Sequence, residues 1–230
     1  MKGWAVVCLF LLLAVPLWSQ VKHTREEIVE HYCQAPEVTS GEDFDHFARV
    51  RTQITSVLNL GAHRIHFAVV DSNVINAWDK DLNKTESLIC VPVAMVRFMG
   101  EADGELAFIL SHEIGHAVDD VCKSSAGRVD VTPPTVTGKL NQLLGGSGRN
   151  PIAEQRTCES RADEIGFAIF TKAGYNPFDA AGAFGRIEMY LGDTSTGALA
   201  RFAAIGSNHP ITPDRIKHMR MLLALRTQNQ

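Results

Sequence analysis

The pentapeptide His112-Glu113-Ile114-Gly115-His116 constrains this chain more than any other feature, because it sits inside an apolar run. Leu106, Ala107, Phe108, Ile109 and Leu110 lead directly into it, with Leu106, Ile109 and Leu110 spaced as one helical stripe. The pattern predicts a largely buried helix over 104–121. Residues four apart share a helical face, so both imidazoles project the same way. Two imidazoles and a carboxylate taken out of water need partners. Whatever the fold is, it has to bring polar groups or a metal ion to that face.

A metal ion satisfies the requirement and gives the third residue a task. Glu113 stands one position past His112, where its carboxylate can approach a water beside the metal instead of the metal itself. Two imidazole ligands with a carboxylate base between them is the arrangement of zinc peptidases. A catalytic zinc also takes a third protein ligand and keeps one position for water. Glu159 is the candidate, in Glu159-Ser160-Arg161-Ala162-Asp163 on a helix predicted over 151–173. Asp163 lies one turn further on the same side, where it can accept the free ring N–H of a ligating histidine, His112. Taken alone, the two acids suit a solvated face paired with Arg156 or Arg161 better than a metal site. The upstream motif shifts the balance towards a metal site.

The N-terminus points to export. Lys2 precedes an apolar run from Trp4 to Leu17, broken only by Pro16, and Ser19 then stands before a polar stretch. This describes a secretory signal peptide over 1–19, followed by one domain over 20–230, in a secreted or periplasmic protein. The run is short of the roughly 20 apolar residues that a spanning helix needs. Leu17 suits the cleavage site poorly, so a retained anchor is the alternative. No later segment is apolar and long enough to span a bilayer. Past the signal, Cys33, Cys90, Cys122 and Cys158 allow two disulfides in three pairings, of which Cys122–Cys158 would join two segments that the metal also joins. With 22 basic against 26 acidic residues and no basic run, nucleic acid is not an expected partner.

Elsewhere the periodicities are plain. Thr24-x-x-Glu27 predicts a capping box opening a helix to about Tyr32. Phe44, Phe47, Val50, Ile54, Val57 and Leu58 predict a helix over 43–60, stopped by Gly61. Strands are predicted over 65–70, at a mixed-polarity edge over 74–78, and over 88–91, ended by Pro92. The stretch 123–151, with Pro133-Pro134 and Gly145-Gly146-Ser147-Gly148, reads as a long loop. Gly174 ends the helix over 151–173, and Asn176-Pro177 and Thr212-Pro213 start two more.

Three pieces in order carry a resemblance: Glu105-Leu106-Ala107 with His112-Glu113-x-Gly115-His116, then Glu159-x-x-Ala162-Asp163, then His209-Pro210-x-x-x-x-Arg215-Ile216. Together with Val69-Val70-Asp71-Ser72, Asn76-Ala77 and Ala173-Gly174-Tyr175-Asn176-Pro177, they resemble the HtpX/Oma-type zinc peptidases, the gluzincin family that includes the CAAX prenyl proteases. The resemblance spans about 44–223. It implies an α+β, mainly helical, zincin-like metalloprotease domain with a small, about three-stranded sheet beside the metal helix. It implies one Zn²⁺ per chain on His112, His116 and Glu159, with Glu113 as catalytic base. His209 falls at a position near the metal, either supporting the transition state or blocking the site, and Arg215 is implied as the structural partner of a nearby acid. Two departures stand out. Trp78-Asp79-Lys80-Asp81-Leu82-Asn83-Lys84 replaces a glycine-rich turn, and Ala117-Val118-Asp119-Asp120 lacks the basic or histidine residue common in relatives.

The expected activity is hydrolysis of peptide bonds in unfolded or misassembled exported proteins, with polypeptide substrate extended beside Asn76, Ala77 and Trp78. The alternative is a chaperone-like or binding protein whose zinc site is structural or held shut, with His209 as a fourth ligand. Membrane-embedded processing of prenylated proteins is excluded for want of spanning helices.

Overall fold

The computed structural model describes residues 23–119, 122, 151–192, 209 and 213–228. The expected signal peptide over 1–19 and the expected long loop over 123–151, except Pro151, lie outside the described residues. Helix α1 (Arg25–Cys33) starts as expected: Thr24 accepts from the Glu27 N–H, and the Glu27 carboxylate accepts from the Thr24 N–H. A short strand β1 (Glu37–Val38) and helix α2 (Glu42–Thr55) follow. The latter ends five residues before the expected Leu60. Around its end Thr52, Thr55 and Ser56 each donate a hydroxyl back to a carbonyl three or four residues earlier. Such side-chain bonds compete with helix propagation, which the apolar spacing alone does not register.

Among the described residues the sheet has four strands, where about three were expected, in the order β1-β2-β4-β3, with β2 (Arg64–Val70) parallel to β4 (Glu86–Pro92) and β3 (Trp78–Asn83) antiparallel to β4. Alternate residues face opposite sides. Phe67, Val69, Ile89 and Val91 enter the main core, while Ala68, Val70, Leu88 and Cys90 pack with Val29 and Cys33 of α1. Burial on both faces explains why β2 and β4 read as nearly continuous apolar runs. A Cys33–Cys90 disulfide fastens α1 to the sheet. The predicted edge strand over 74–78 is not one; the edge strand begins at Trp78 and runs to Asn83. Its exposed Lys80, Asp81 and Asn83 give it the composition of a turn, as unpaired sheet edges often have.

Helix α3 (Val93–Met99) continues directly from β4, burying Val93, Met95, Val96 and Met99; no turn composition separates the two in the sequence. Helix α4 (Asp103–Val118) carries the pentapeptide and is buried at almost every position. Against it lies α5 (Pro151–Lys172), followed by α6 (Pro177–Gly192) and α7 (Pro213–Gln228). Gly174, at φ 87°, ends α5 as expected, and Asn176 Oδ1 accepts from the Phe178 N–H to start α6.

Two glycines set how closely α4 and α5 cross. A Cβ on Gly115 would lie 2.6 Å from the Ala162 carbonyl oxygen, and one on Gly166 would lie 2.9 Å from His112 Cα. Both backbones therefore touch where any side chain would hold them apart. On α5, Glu159, Ala162, Asp163 and Gly166 form the face that meets α4, at the three- and four-residue spacing of one helical stripe. Asp119 at the end of α4 accepts from Arg161 Nε at 2.5 Å and Nη2 at 2.9 Å, so Arg161 is engaged there and not with Glu159 or Asp163. The Cys122–Cys158 disulfide, one of the expected pairings, joins the segment after α4 to the residue before Glu159. No helix among the described residues is long and apolar enough to cross a membrane.

Candidate metal centre

The close α4–α5 crossing puts side chains far apart in sequence into one cluster. His112 and His116 Nε2 are 3.1 Å apart. Glu159 Oε2 lies 3.5 Å from His112 Nε2, and Oε1 lies 3.4 Å from His116 Nε2. His209, from the segment before α7, adds Nδ1 at 3.4 Å from His112 Nε2 and 3.2 Å from Glu159 Oε1. These four residues form the one group among the described residues able to hold a metal ion. Donors about 2.0–2.1 Å from a tetrahedral zinc lie roughly 3.3–3.4 Å from each other. The observed spacings match that tetrahedron, and the donor chemistry, three imidazoles and one carboxylate, suits zinc. The residues present therefore fit a zinc ion.

A second layer holds the donors in place. His112 Nδ1 lies 2.9 Å from Asp163 Oδ1, the contact expected from the one-turn spacing. Arg215 donates Nε and Nη2 to the two Asp163 oxygens at 2.8 and 2.7 Å, and its Nη1 lies 2.8 Å from Glu159 Oε2. The acidic partner left unnamed for Arg215 in the sequence is thus a pair, and the guanidinium also lies over the Phe184 ring. Asp163 is fully buried and Arg215 nearly so. Burial pushes the Asp163 carboxyl up, but Arg215 and His112 outweigh it and hold it below its ordinary range. Burial likewise opposes the charge on Glu159, yet His209, His112 and His116 hold its carboxyl well below the usual value. For His112, burial works against the proton and is overcome by Asp163 and Glu159, which push it up to about 10.

Glu113 lies beside this cluster, 2% exposed. Its Oε1 is 3.8 Å from His209 Nε2, and its Oε2 has no hydrogen-bond partner among the described residues. A buried carboxylate oxygen left unpartnered is costly unless something else fills the space. Asn76 and Ala77 line the same cavity as Glu113 and His112. Trp78 does not: it packs with the core on the α1 side of the sheet, so the open edge is carried by the length of β3. Asp79 escaped sequence reasoning. Its β3 position opposite Ile89 puts it on the α4 face of the sheet. Burial and then the Glu113 charge raise its carboxyl, while His116 and His209 act the other way. Strand alternation was the available signal, hidden by the turn-like Asp79-Lys80-Asp81.

Comparison with curated proteins gives no match. The sequence model of peptidase family M48, whose members are zinc-dependent, matches residues 45–150 and 150–223. That match runs from within α2 to within α7 and takes in all four donor residues, Glu113, Asp163 and Arg215. The chain therefore belongs to peptidase family M48.

Proposed function

We propose that this protein is a zinc-dependent endopeptidase in which His112, His116 and Glu159 hold one zinc ion and Glu113 is the general base. The observation that carries this reading is the unpartnered, buried Glu113 Oε2 beside a tetrahedral donor set. A zinc ion held there would polarise a scissile carbonyl and make a water acidic enough to attack near neutral pH. Glu113 accepts the proton of the attacking water on Oε2 and passes it to the leaving amine. Asp163 fixes the ring of His112, and Arg215 braces Asp163 and Glu159 together. Substrate lies extended along the open edge of β3, adding a strand with little sequence selectivity from the backbone. Unfolded or misassembled exported polypeptides are the proposed substrates, outside the cell or in a periplasm. The two disulfides and the signal-like N-terminus favour that compartment. Metal analysis of the processed chain should find about one zinc per chain, with casein cleavage lost to a chelator and restored by zinc. Undiminished cleavage by metal-stripped protein refutes the reading.

His209 favours a latent form of this enzyme. Its Nδ1, 3.4 Å from His112 Nε2 and 3.2 Å from Glu159 Oε1, would be a fourth donor to a zinc ion, at the position that a catalytic site keeps for water. Withdrawal of the imidazole would then be required before each substrate is engaged. If the closed form outweighs the open one by about 1.4 kcal/mol, removing the ring raises the competent fraction roughly tenfold. His209→Ala should therefore increase the initial rate of casein cleavage by that order, read at equal zinc content. A rate that falls instead assigns His209 to transition-state support. Zinc lost without any gain in rate favours a structural site in a binding protein.

A further inference from the structure

The two disulfides differ in their surroundings. Cys33 is 2% exposed and Cys90 0%, so their bond is sealed in the small core between α1 and the sheet. Cys158 is only half-buried, and its bond to Cys122 lies at the end of the α4–α5 crossing. Exchange with an external thiol requires access to a sulfur, so the second bond is reachable and the first is shielded. The reachable bond is also the one placed to act on the metal centre. Cys158 directly precedes the donor Glu159, and Cys122 stands just past α4, which carries His112 and His116. Arg161, one turn beyond Cys158, grips Asp119, the residue that caps α4. Cys122 in turn donates its N–H to the Asp119 carbonyl at 3.0 Å. A covalent and an ionic link therefore bind the same turn of α5 to the same end of α4, and Glu159 belongs to that turn. Glu159 stands between this pair of links and the close contact of Gly115 with Ala162. With the disulfide open, the outer hold passes to an ion pair whose arginine is 43% exposed, a weak substitute for a covalent bond.

We propose that Cys122–Cys158 is a redox clamp on the metal centre: closed, it holds Glu159 beside His112 and His116, and reduced, it weakens the hold on zinc and silences the peptidase. The step is thiol–disulfide exchange. A reductant thiolate attacks Cys158 Sγ, forms a mixed disulfide there and expels Cys122 as a thiolate, which takes up a proton. A second reductant thiol attacks the mixed disulfide and frees Cys158 as a thiol. The reductant leaves as its own disulfide, and two electrons have passed to the protein. The chain is thereby kept inactive in a reducing compartment and activated where the bond can form. The clamp rests on the zinc peptidase reading, because Glu159 matters here as a donor.

The test equilibrates the zinc-loaded wild-type chain in glutathione buffers of increasing reducing strength, with free thiols trapped by alkylation and mapped by mass spectrometry. Cys122 and Cys158 should be alkylated in milder buffers than Cys33 and Cys90. Over that range zinc affinity, read by competition with a chromogenic chelator, should fall about 10–100-fold, as when an outer support of a ligand is lost. Circular dichroism should show the fold intact. Casein cleavage at limiting zinc should fall with the bound metal and return on reoxidation. The double substitution Cys122→Ser with Cys158→Ser should reproduce the weak zinc binding without any reductant. Zinc affinity that stays constant as Cys122–Cys158 opens overturns the clamp and leaves the peptidase reading standing. Opening of Cys33–Cys90 first overturns it too, as does zinc lost only together with the folded state, which would make the bond a staple of the fold. A chain that takes up no zinc even when oxidised refutes both readings.

Discussion

Glu113→Gln should lower kcat for peptide hydrolysis by roughly 10²–10⁴-fold, the range lost when a positioned general base is removed, while zinc content stays near one per chain. The two halves of this result separate the roles of neighbouring residues. Glu113 contributes no atom to the donor tetrahedron, whose members are His112, His116, Glu159 and His209. Its amide replacement keeps the shape and one hydrogen-bonding oxygen but cannot take a proton. The change also removes a negative charge from a 2% exposed site with one unpartnered oxygen, so folding should not suffer. Equal unfolding midpoints for the two proteins, measured with zinc bound, would show that lost rate is lost chemistry. Retained activity would place the base elsewhere, and Asp79, on the sheet face towards α4, would be the next candidate. Zinc lost along with activity would mean that Glu113 helps hold the metal.

The sequence anticipates the cluster better than the frame around it. Helix α4 follows from a buried stripe that only a helix satisfies, and its observed span of Asp103–Val118 starts one residue before the expected one and ends three residues earlier. Glu159 and Asp163 were legible as a pair because a four-residue spacing fixes a shared face whatever the tertiary structure. Gly115 and Gly166 were not legible as packing residues. What they permit is visible only when α4 and α5 are set together and the space for a Cβ vanishes. Strand β3 was displaced and α3 unforeseen for opposite reasons. At the edge, solvent-facing side chains imitate a loop; after Pro92, buried strand gives way to buried helix with no polar break. The donor position of His209 depends on where α7 docks, 97 residues from His112 in sequence, and local pattern carries no information at that range.

Arg215→Met should cost about 3–5 kcal/mol of stability, the usual penalty for removing one member of a buried charged network. The guanidinium is 5% exposed and serves two carboxylates, Asp163 and Glu159, with three contacts between 2.7 and 2.8 Å. Methionine fills much of the stem's volume and retains apolar contact with Phe184, so the loss reports mainly on charge and hydrogen bonding. Asp163 is the residue left exposed to the change: burial already opposes its charge, and Arg215 is the first of the groups that overcome this. Adding Asp163→Asn to Arg215→Met removes the stranded charge and should recover part of the loss, a coupling that a double-mutant cycle in urea unfolding can measure. Coupling near zero would show that the two side chains do not depend on each other. Zinc affinity supplies a second readout. With His112 no longer oriented through Asp163 and Glu159 no longer braced, metal should bind about 10–100-fold more weakly, as when an outer partner of a ligand is lost. A variant that loses stability but keeps full zinc affinity would confine Arg215 to holding α7 against α5, with no part in shaping the donors.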